Sequence, residues 1–169
     1  KPRQIRRRKG LGNVQLVRYA DDFLVLTNGP KQQAYELMEE FRVILAELGL
    51  TLSSEKTRIT HVDDGYEFLG FHLQRRPRRC APQEKALYVT PTQRNVQRYR
   101  DKVKTMLRPT QGDPVNKIRA VNRVVRGWAN YYRHVQSARM RHTLDHWTFW
   151  AVWQWLYRKH GGNIGQKEL

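Results

Sequence analysis

Residues 14–27 read Val-Gln-Leu-Val-Arg-Tyr-Ala-Asp-Asp-Phe-Leu-Val-Leu-Thr, two apolar runs of strand-forming residues with a pair of acids at their joint. Two such runs so close together fold back on each other as an antiparallel hairpin. Tyr19-Ala20-Asp21-Asp22 is then the turn, and it holds Asp21 and Asp22 at a fixed, exposed place. Like charges side by side are costly to bury unless cations neutralise them. Hard divalent ions that take oxygen ligands, Mg²⁺ first among them, meet that need. Phosphoryl transfer on nucleic acids uses two such ions about 4 Å apart. Taken alone, Asp-Asp is also an ordinary solvated turn pair, so the weight of the reading falls on what surrounds it.

The surroundings are strongly basic. The net charge is +17 over 169 residues, distributed as +7 for residues 1–20, −6 for 21–74 and +16 for 75–169. An acidic island that contains the Asp pair thus lies between two basic flanks. Basic surface neutralises phosphates and a local acidic cluster holds metal ions, a division suited to an enzyme that works on nucleic acid. No stretch approaches the roughly 20 apolar residues of a membrane span, and no signal-peptide pattern is present. Cys80 is the single cysteine, which excludes a disulfide framework and a cysteine-based zinc site and fits a reducing, bacterial cytoplasmic setting, with an organellar matrix as the other option.

Along the chain, residues 1–13 form a basic entry with no hydrophobic period. After the hairpin, Gly29-Pro30 opens a helix whose face is Ala34, Leu37, Met38, Phe41, Ile44, Leu45 and Leu48, and Gly49 ends it. Short strands are expected at 57–61 and 66–73, with Asp63-Asp64-Gly65 as the turn between them. Residues 75–86 read as an exposed basic loop and 87–89 as a brief strand. Thr90-Pro91 and Asp113-Pro114 are both start signals for helices, and a last helix spans about 137–157. The expected class is α+β: a small strand-and-helix unit over 14–74, a basic linker and short strand over 75–90, an all-α domain over 91–160 and a tail over 161–169.

Four ordered segments resemble the reverse transcriptases encoded by group II introns. Tyr19-Ala20-Asp21-Asp22 matches their catalytic hairpin. Leu48-Gly49-Leu50-Thr51-Leu52-Ser53-Ser54-Glu55-Lys56-Thr57 resembles the following motif, Phe68-Leu69-Gly70-Phe71 the turn called the primer grip, and Arg126-Gly127-Trp128-Ala129-Asn130-Tyr131-Tyr132-Arg133 the signature of the maturase, or thumb, domain. The resemblance implies a partial reverse-transcriptase palm followed by a helical maturase domain, two Mg²⁺ ions as cofactors, and RNA template, intron RNA, DNA primer and deoxynucleotides as partners. It implies Asp21 and Asp22 as metal ligands, Lys56 assisting pyrophosphate departure, and Tyr19, Phe68, Leu69 and Gly70 next to the primer. The family places another metal-binding Asp upstream, and residues 1–18 contain no Asp or Glu. The expectation is therefore the C-terminal part of a longer enzyme, inactive by itself, with a missing half or a second copy as possible partner.

Phosphate contacts are expected from Arg75, Arg76, Arg78 and Arg79 in the basic loop and from Arg126, Arg133, Arg139 and Arg141 in the helical part. Trp128, Trp147, Trp150 and Trp153 are expected in the core, since large aromatics at helical spacing face inward. His142 and His146 sit one helical turn apart but lack a third zinc ligand. The rival readings are a non-catalytic RNA-binding splicing factor that keeps a palm remnant, and a reverse transcriptase of another lineage, such as retrons, diversity-generating elements or CRISPR-associated types.

Overall fold

The computed structural model describes residues 12–135 and 138–161, so nearly all of the basic entry and of the tail, together with Ser137, lies outside the described residues. The chain divides into two compact units, Lys1–Asp64 and Gly65–Leu169. Its class is α+β, with antiparallel sheets of two and three strands and four helices among the described residues.

In the first unit, β1 (Val14–Tyr19) pairs with β2 (Asp22–Thr27), running from Val14 opposite Thr27 to Tyr19 opposite Asp22. Only Ala20 and Asp21 remain for the loop. Helix α1 (Lys31–Glu47) follows, with Pro30 just ahead of it. Its Ala34, Leu37, Met38, Phe41 and Leu45 are half-buried, and Phe41 stacks on Phe23 at 5.7 Å between ring centroids. Gly49, at φ +70°, ends the helix as expected: its N–H donates to the Ala46 carbonyl and that of Leu50 to the Leu45 carbonyl, the paired bonds of a left-handed cap. The strand expected at 57–61 does not form. Thr57 and Ile59 alternate with exposed neighbours, but no described strand lies beside them to complete a ladder, and the Thr57 N–H instead closes a turn on the Ser53 carbonyl at 2.9 Å.

The second unit begins with a meander, β3 (Tyr66–Phe68), β4 (Phe71–Arg78) and β5 (Ala81–Pro91), in the order β3-β4-β5. Two expectations are corrected here. Residues 66–73 are not one strand, because Leu69 (φ +49°) and Gly70 (φ +77°) both take left-handed backbone and turn the chain between Phe68 and Phe71. Two successive positive φ values define the tight turn whose twist matches a hairpin. Residues 75–90 are not a linker but most of a long β4–β5 ribbon, paired from Phe71 opposite Pro91 out to Arg78 opposite Ala81. Its outer part is exposed on both faces, so it carries no apolar alternation by which a strand is recognised.

Three helices complete the unit: α2 (Gln93–Leu107), α3 (Pro114–Tyr131) and α4 (Ala138–Lys159). Asp113 caps α3 as expected, its Oδ2 accepting from the Asn116 N–H at 2.8 Å with Pro114 in the first turn. The cap of α2 is Thr92, two residues beyond the expected Thr90, since strand pairing holds the backbone extended through Pro91. Val96, Tyr99, Val103 and Leu107 of α2 meet Val121 of α3 and Leu144 and Trp155 of α4 in a buried cluster. Trp155 is 0% exposed. Its indole N–H donates to the Pro109 carbonyl at 2.8 Å, and Lys117 and Lys159 lie over its ring at 5.2 and 5.9 Å.

Candidate functional site

Asp21 and Asp22 stand at the tip of the β1–β2 hairpin, Asp21 in the loop and Asp22 as the first residue of β2, and both are exposed. Ala20 takes φ +54°, a conformation rare for a residue with a Cβ. The Arg18 Nε donates to the Ala20 carbonyl at 2.9 Å and braces the bend from the first strand. Two adjacent exposed carboxylates are hard oxygen donors of the right kind for Mg²⁺, yet too few to complete its six-coordinate shell. No group of three or more His, Cys, Asp or Glu side chains gathers to hold a metal among the described residues. Tyr19, expected beneath the primer end or in the core, is 65% exposed. Lys56 is exposed in the turn that follows α1.

In the second unit the structure joins two of the sequence segments. The Leu69-Gly70 turn is held by the end of α3: the Tyr131 hydroxyl donates to the Leu69 carbonyl at 2.8 Å and the Tyr132 hydroxyl to the Gly70 carbonyl at 3.1 Å. The Thr92 N–H reaches the same Gly70 oxygen at 3.0 Å, and Asn95 donates through Nδ2 to the Tyr132 hydroxyl at 2.8 Å. Phe71 stacks on Tyr131 and meets the edge of Tyr132, each at 5.2 Å. A Cβ on Gly70 would come within 2.2 Å of the Asn95 Nδ2, so this position needs glycine for space as well as for its φ. Burial raises the Tyr132 hydroxyl above its ordinary value of 10.0; the Asn95 hydrogen bond pulls the other way and Tyr131 adds to the rise. The group is therefore a neutral donor at physiological pH.

A groove of about 710 Å³ opens beside this turn, between α2 and α3. Arg94, Arg98 and Lys102 line one wall from successive turns of α2, and Arg123, Gly127 and Tyr131 line the other from successive turns of α3. A residue every fourth position forms one stripe along a helix. None of the four cations takes part in an ion pair among the described residues. Gly127 sits mid-helix, where glycine costs about 1 kcal/mol relative to alanine, and a Cβ there would meet nothing within 4 Å.

A family model described as the group II intron maturase-specific domain matches residues 96–168, and one described as reverse transcriptase (RNA-dependent DNA polymerase) matches residues 2–73. The chain thus carries a reverse-transcriptase segment followed by a group II intron maturase-specific segment. Protein YkfC of Escherichia coli K12 is 43% identical over 82 residues, 43% of this chain and 22% of that protein. The group II intron-encoded protein LtrA of Lactococcus lactis subsp. cremoris is 36% identical over 62 residues, 36% of this chain and 10% of LtrA. An uncharacterized 91 kDa protein in the cob intron of Schizosaccharomyces pombe is 28% identical over 138 residues, 72% of this chain and 17% of that protein. The chain thus spans between about a tenth and a fifth of the length of these curated relatives.

Within these two segments the arginines named from sequence are scattered. Arg75, Arg76, Arg78 and Arg79 are exposed on the ribbon, where Arg78 pairs with Glu84 at 3.2 Å. Arg126 is exposed on α3 and Arg133 follows its last turn, donating through Nε to His134 at 2.7 Å. Arg139 and Arg141 are two positions apart on α4, roughly 200° around the axis, and only Arg139 is fully exposed. None of the eight lines the groove. Sequence reasoning missed the groove cations, although the four-residue spacing of Arg94, Arg98 and Lys102 is a signal that could have found them. The tryptophans divide as well. Trp128 and Trp147 pack against the core and Trp153 is half-buried. Trp150, expected inside, is 47% exposed, and Trp155 is the one that is fully enclosed.

Proposed function

We propose that this chain serves RNA-directed DNA synthesis and intron splicing, its first unit contributing to the polymerase centre and its second binding RNA. The observation that carries the reading is the exposed Asp21–Asp22 pair at the tip of a two-residue hairpin loop. In this reading Asp21 and Asp22 would together help hold the Mg²⁺ ions, Asp21 in preference to Asp22 as the direct ligand. When bound, such ions stabilise the attacking and leaving oxygens of nucleotide transfer. Lys56 places a positive charge, or a proton, toward departing pyrophosphate. Tyr19 and the Phe68-Leu69-Gly70 turn seat the DNA primer, and a turn gripped through its backbone carbonyls suits a fixed platform. The helical unit and the ribbon, with Arg75, Arg76, Arg78, Arg79, Arg126, Arg133, Arg139 and Arg141, hold intron RNA and template through salt-dependent phosphate contacts.

Two carboxylates supply only part of a metal cage, so these 169 residues by themselves are expected to bind RNA without extending a primer. A primer-extension assay checks this, and robust DNA synthesis by the isolated chain would overturn it. In a complex that includes an upstream palm half with its own metal-binding Asp, Asp21→Asn and Asp22→Asn should reduce DNA synthesis to background and leave splicing intact. The incomplete cage equally favours a second reading, a non-catalytic RNA-binding splicing factor. That reading gains if the same complex splices normally and has no polymerase activity for the Asn variants to remove.

No described helix is long and apolar enough to cross a membrane. We place the protein in the bacterial cytoplasm or an organellar matrix, where its RNA partner is made.

A further inference from the structure

We infer that the groove between α2 and α3 holds the sugar–phosphate backbone of a single RNA strand, with Gly127 as the point of closest approach. The inference rests on the RNA-binding reading of the helical unit and assigns the phosphate contacts to four cations outside the Arg126–Arg133 signature and the ribbon, with Gly127 the signature's own contribution to the groove.

Charge is the first argument. Arg94, Arg98 and Lys102 face the groove from one wall and Arg123 from the other, and none of them has an acidic partner among the described residues. Four residues of helix advance about 6 Å, so the three α2 cations meet a strand at intervals comparable to its successive phosphates. A backbone lying between the walls is neutralised from both sides. Glu67 lines the groove as well, and its negative charge disfavours phosphate where it stands.

Space is the second argument, and it is independent of charge. Gly127 lies between Arg123 and Tyr131 on the α3 stripe, and a Cβ built there meets open space. No turn, positive φ or close packing within the chain asks for glycine at this position. A glycine in a helix interior without an internal reason leaves room for a close approach by something outside the chain. Glycine here leaves the α3 backbone bare on that wall of the groove, and any longer side chain would stand in the path of a strand. The volume of about 710 Å³ is that of a small-ligand site, roughly 300–1,000 Å³, enough for a few nucleotides of one strand. A duplex resting across the helices would touch only the rims and would be indifferent to residue 127.

The test is fluorescence anisotropy of the 169-residue chain with a short unstructured RNA, titrated at several salt concentrations, beside thermal unfolding of each variant. Gly127→Leu should keep or raise Tm, because the site is open and leucine is a better helix former, while weakening RNA binding about tenfold or more. Arg98→Ala and Lys102→Ala should each weaken binding and make the salt slope shallower, by about 0.7 for every phosphate of a single strand that is no longer neutralised. Wild-type binding with unchanged affinity and slope in all three variants would overturn the groove assignment and leave RNA binding by the unit standing. A blunt RNA duplex bound as tightly as the single strand, with the same dependence on residue 127, would overturn the single-strand assignment. No wild-type binding at low salt would remove the parent reading and this one together.

Discussion

Of the three hairpins closed by two-residue loops among the described residues, those at Ala20-Asp21 and Leu69-Gly70 are treated in opposite ways. The first is braced by one exposed arginine, and its acids face solvent. The second is fastened by Tyr131, Tyr132 and Thr92 through its two carbonyls, with Asn95 behind them. Their units differ in the same sense. Every buried apolar side chain among the described residues belongs to Gly65–Leu169, whereas Leu16, Val17, Leu26, Ile44 and Leu48 of the first unit are exposed. A two-stranded sheet is marginal in water unless more structure covers it. The contrast is physical: an acidic turn that stands open to solvent, and a backbone turn held by a folded helical support.

The sharpest way to break this comparison is to remove the support. Trp155→Ala deletes a fully enclosed side chain that packs in the core and donates to the Pro109 carbonyl. Truncations of this kind cost about 3–5 kcal/mol, a large share of the stability of a small domain. The second unit should lose most of its cooperative unfolding transition in calorimetry, while Ile44→Ala, at a side chain 53% exposed, should change stability by less than about 1 kcal/mol. Comparable losses in the two variants would show that the first unit is packed as tightly as the second.

Gly70→Ala acts on the gripped turn alone. It combines a left-handed φ with a Cβ placed 2.2 Å from Asn95 and 3.2 Å from the Tyr132 hydroxyl. Left-handed backbone costs roughly 1–2 kcal/mol in a residue with a Cβ and forced overpacking roughly 1–3, so a loss of about 2–4 kcal/mol is expected in denaturant unfolding. A change below about 1 kcal/mol would mean that the turn is free to shift and is no rigid platform.

How far these features are legible in the sequence depends on whether their cause is local. Gly49 and Asp113 are legible because a cap is decided by a few neighbouring residues, and the hairpin around Asp21 because both its strands are apolar and adjacent. The α2 cap lies two residues beyond its sequence signal because β5 pairing, a contact between distant segments, keeps Thr90 and Pro91 in the sheet. The ribbon is hidden by its own composition, since Arg75, Arg76, Arg78 and Lys85 lie on its outer part, which buries neither face. Trp155 cannot be singled out because the polar and apolar residues of α4 are spread around its whole circumference, Trp147, Phe149, Trp150, Val152, Trp153 and Leu156 among them, so that no one face orients it. The Phe68–Phe71 turn and the Tyr131-Tyr132 pair are each recognisable separately, but a contact between residues 62 positions apart leaves no trace in periodicity.

Alkaline titration sharpens the same comparison without mutation. Burial raises the hydroxyls of both Tyr132 and Tyr99, the latter also holding Thr148 at 2.7 Å. Thr148 gives its own proton to the Leu144 carbonyl, which leaves Tyr99 as donor in that bond. The folded chain therefore binds these protons more tightly than the unfolded chain, which releases them first as pH rises. Their contribution to stability is complete below the ordinary value of 10.0 and is lost as pH climbs through the raised values. Thermal unfolding of the second unit should be flat to about pH 9 and fall above about 10, and Tyr132→Phe should remove part of that fall. A fall centred near about pH 7 would point to histidines and away from the tyrosine brace.

The smallest expected effect belongs to the open turn and has the opposite sign. Ala20 sits at φ +54°, where glycine is at ease and alanine is strained. Ala20→Gly relieves that strain but adds backbone freedom to the unfolded chain, so a net gain of about 0.5–1 kcal/mol is the most it should bring. Hydrogen exchange at the β1–β2 amides reads such a change locally. Slower exchange there, with the second unit unaffected, would show that the acidic loop is kept slightly strained while the gripped loop is not. Faster exchange would mean that the Ala20 methyl group and the Arg18 brace together hold the aspartates in place, and that the open turn is more tightly organised than its exposure implies.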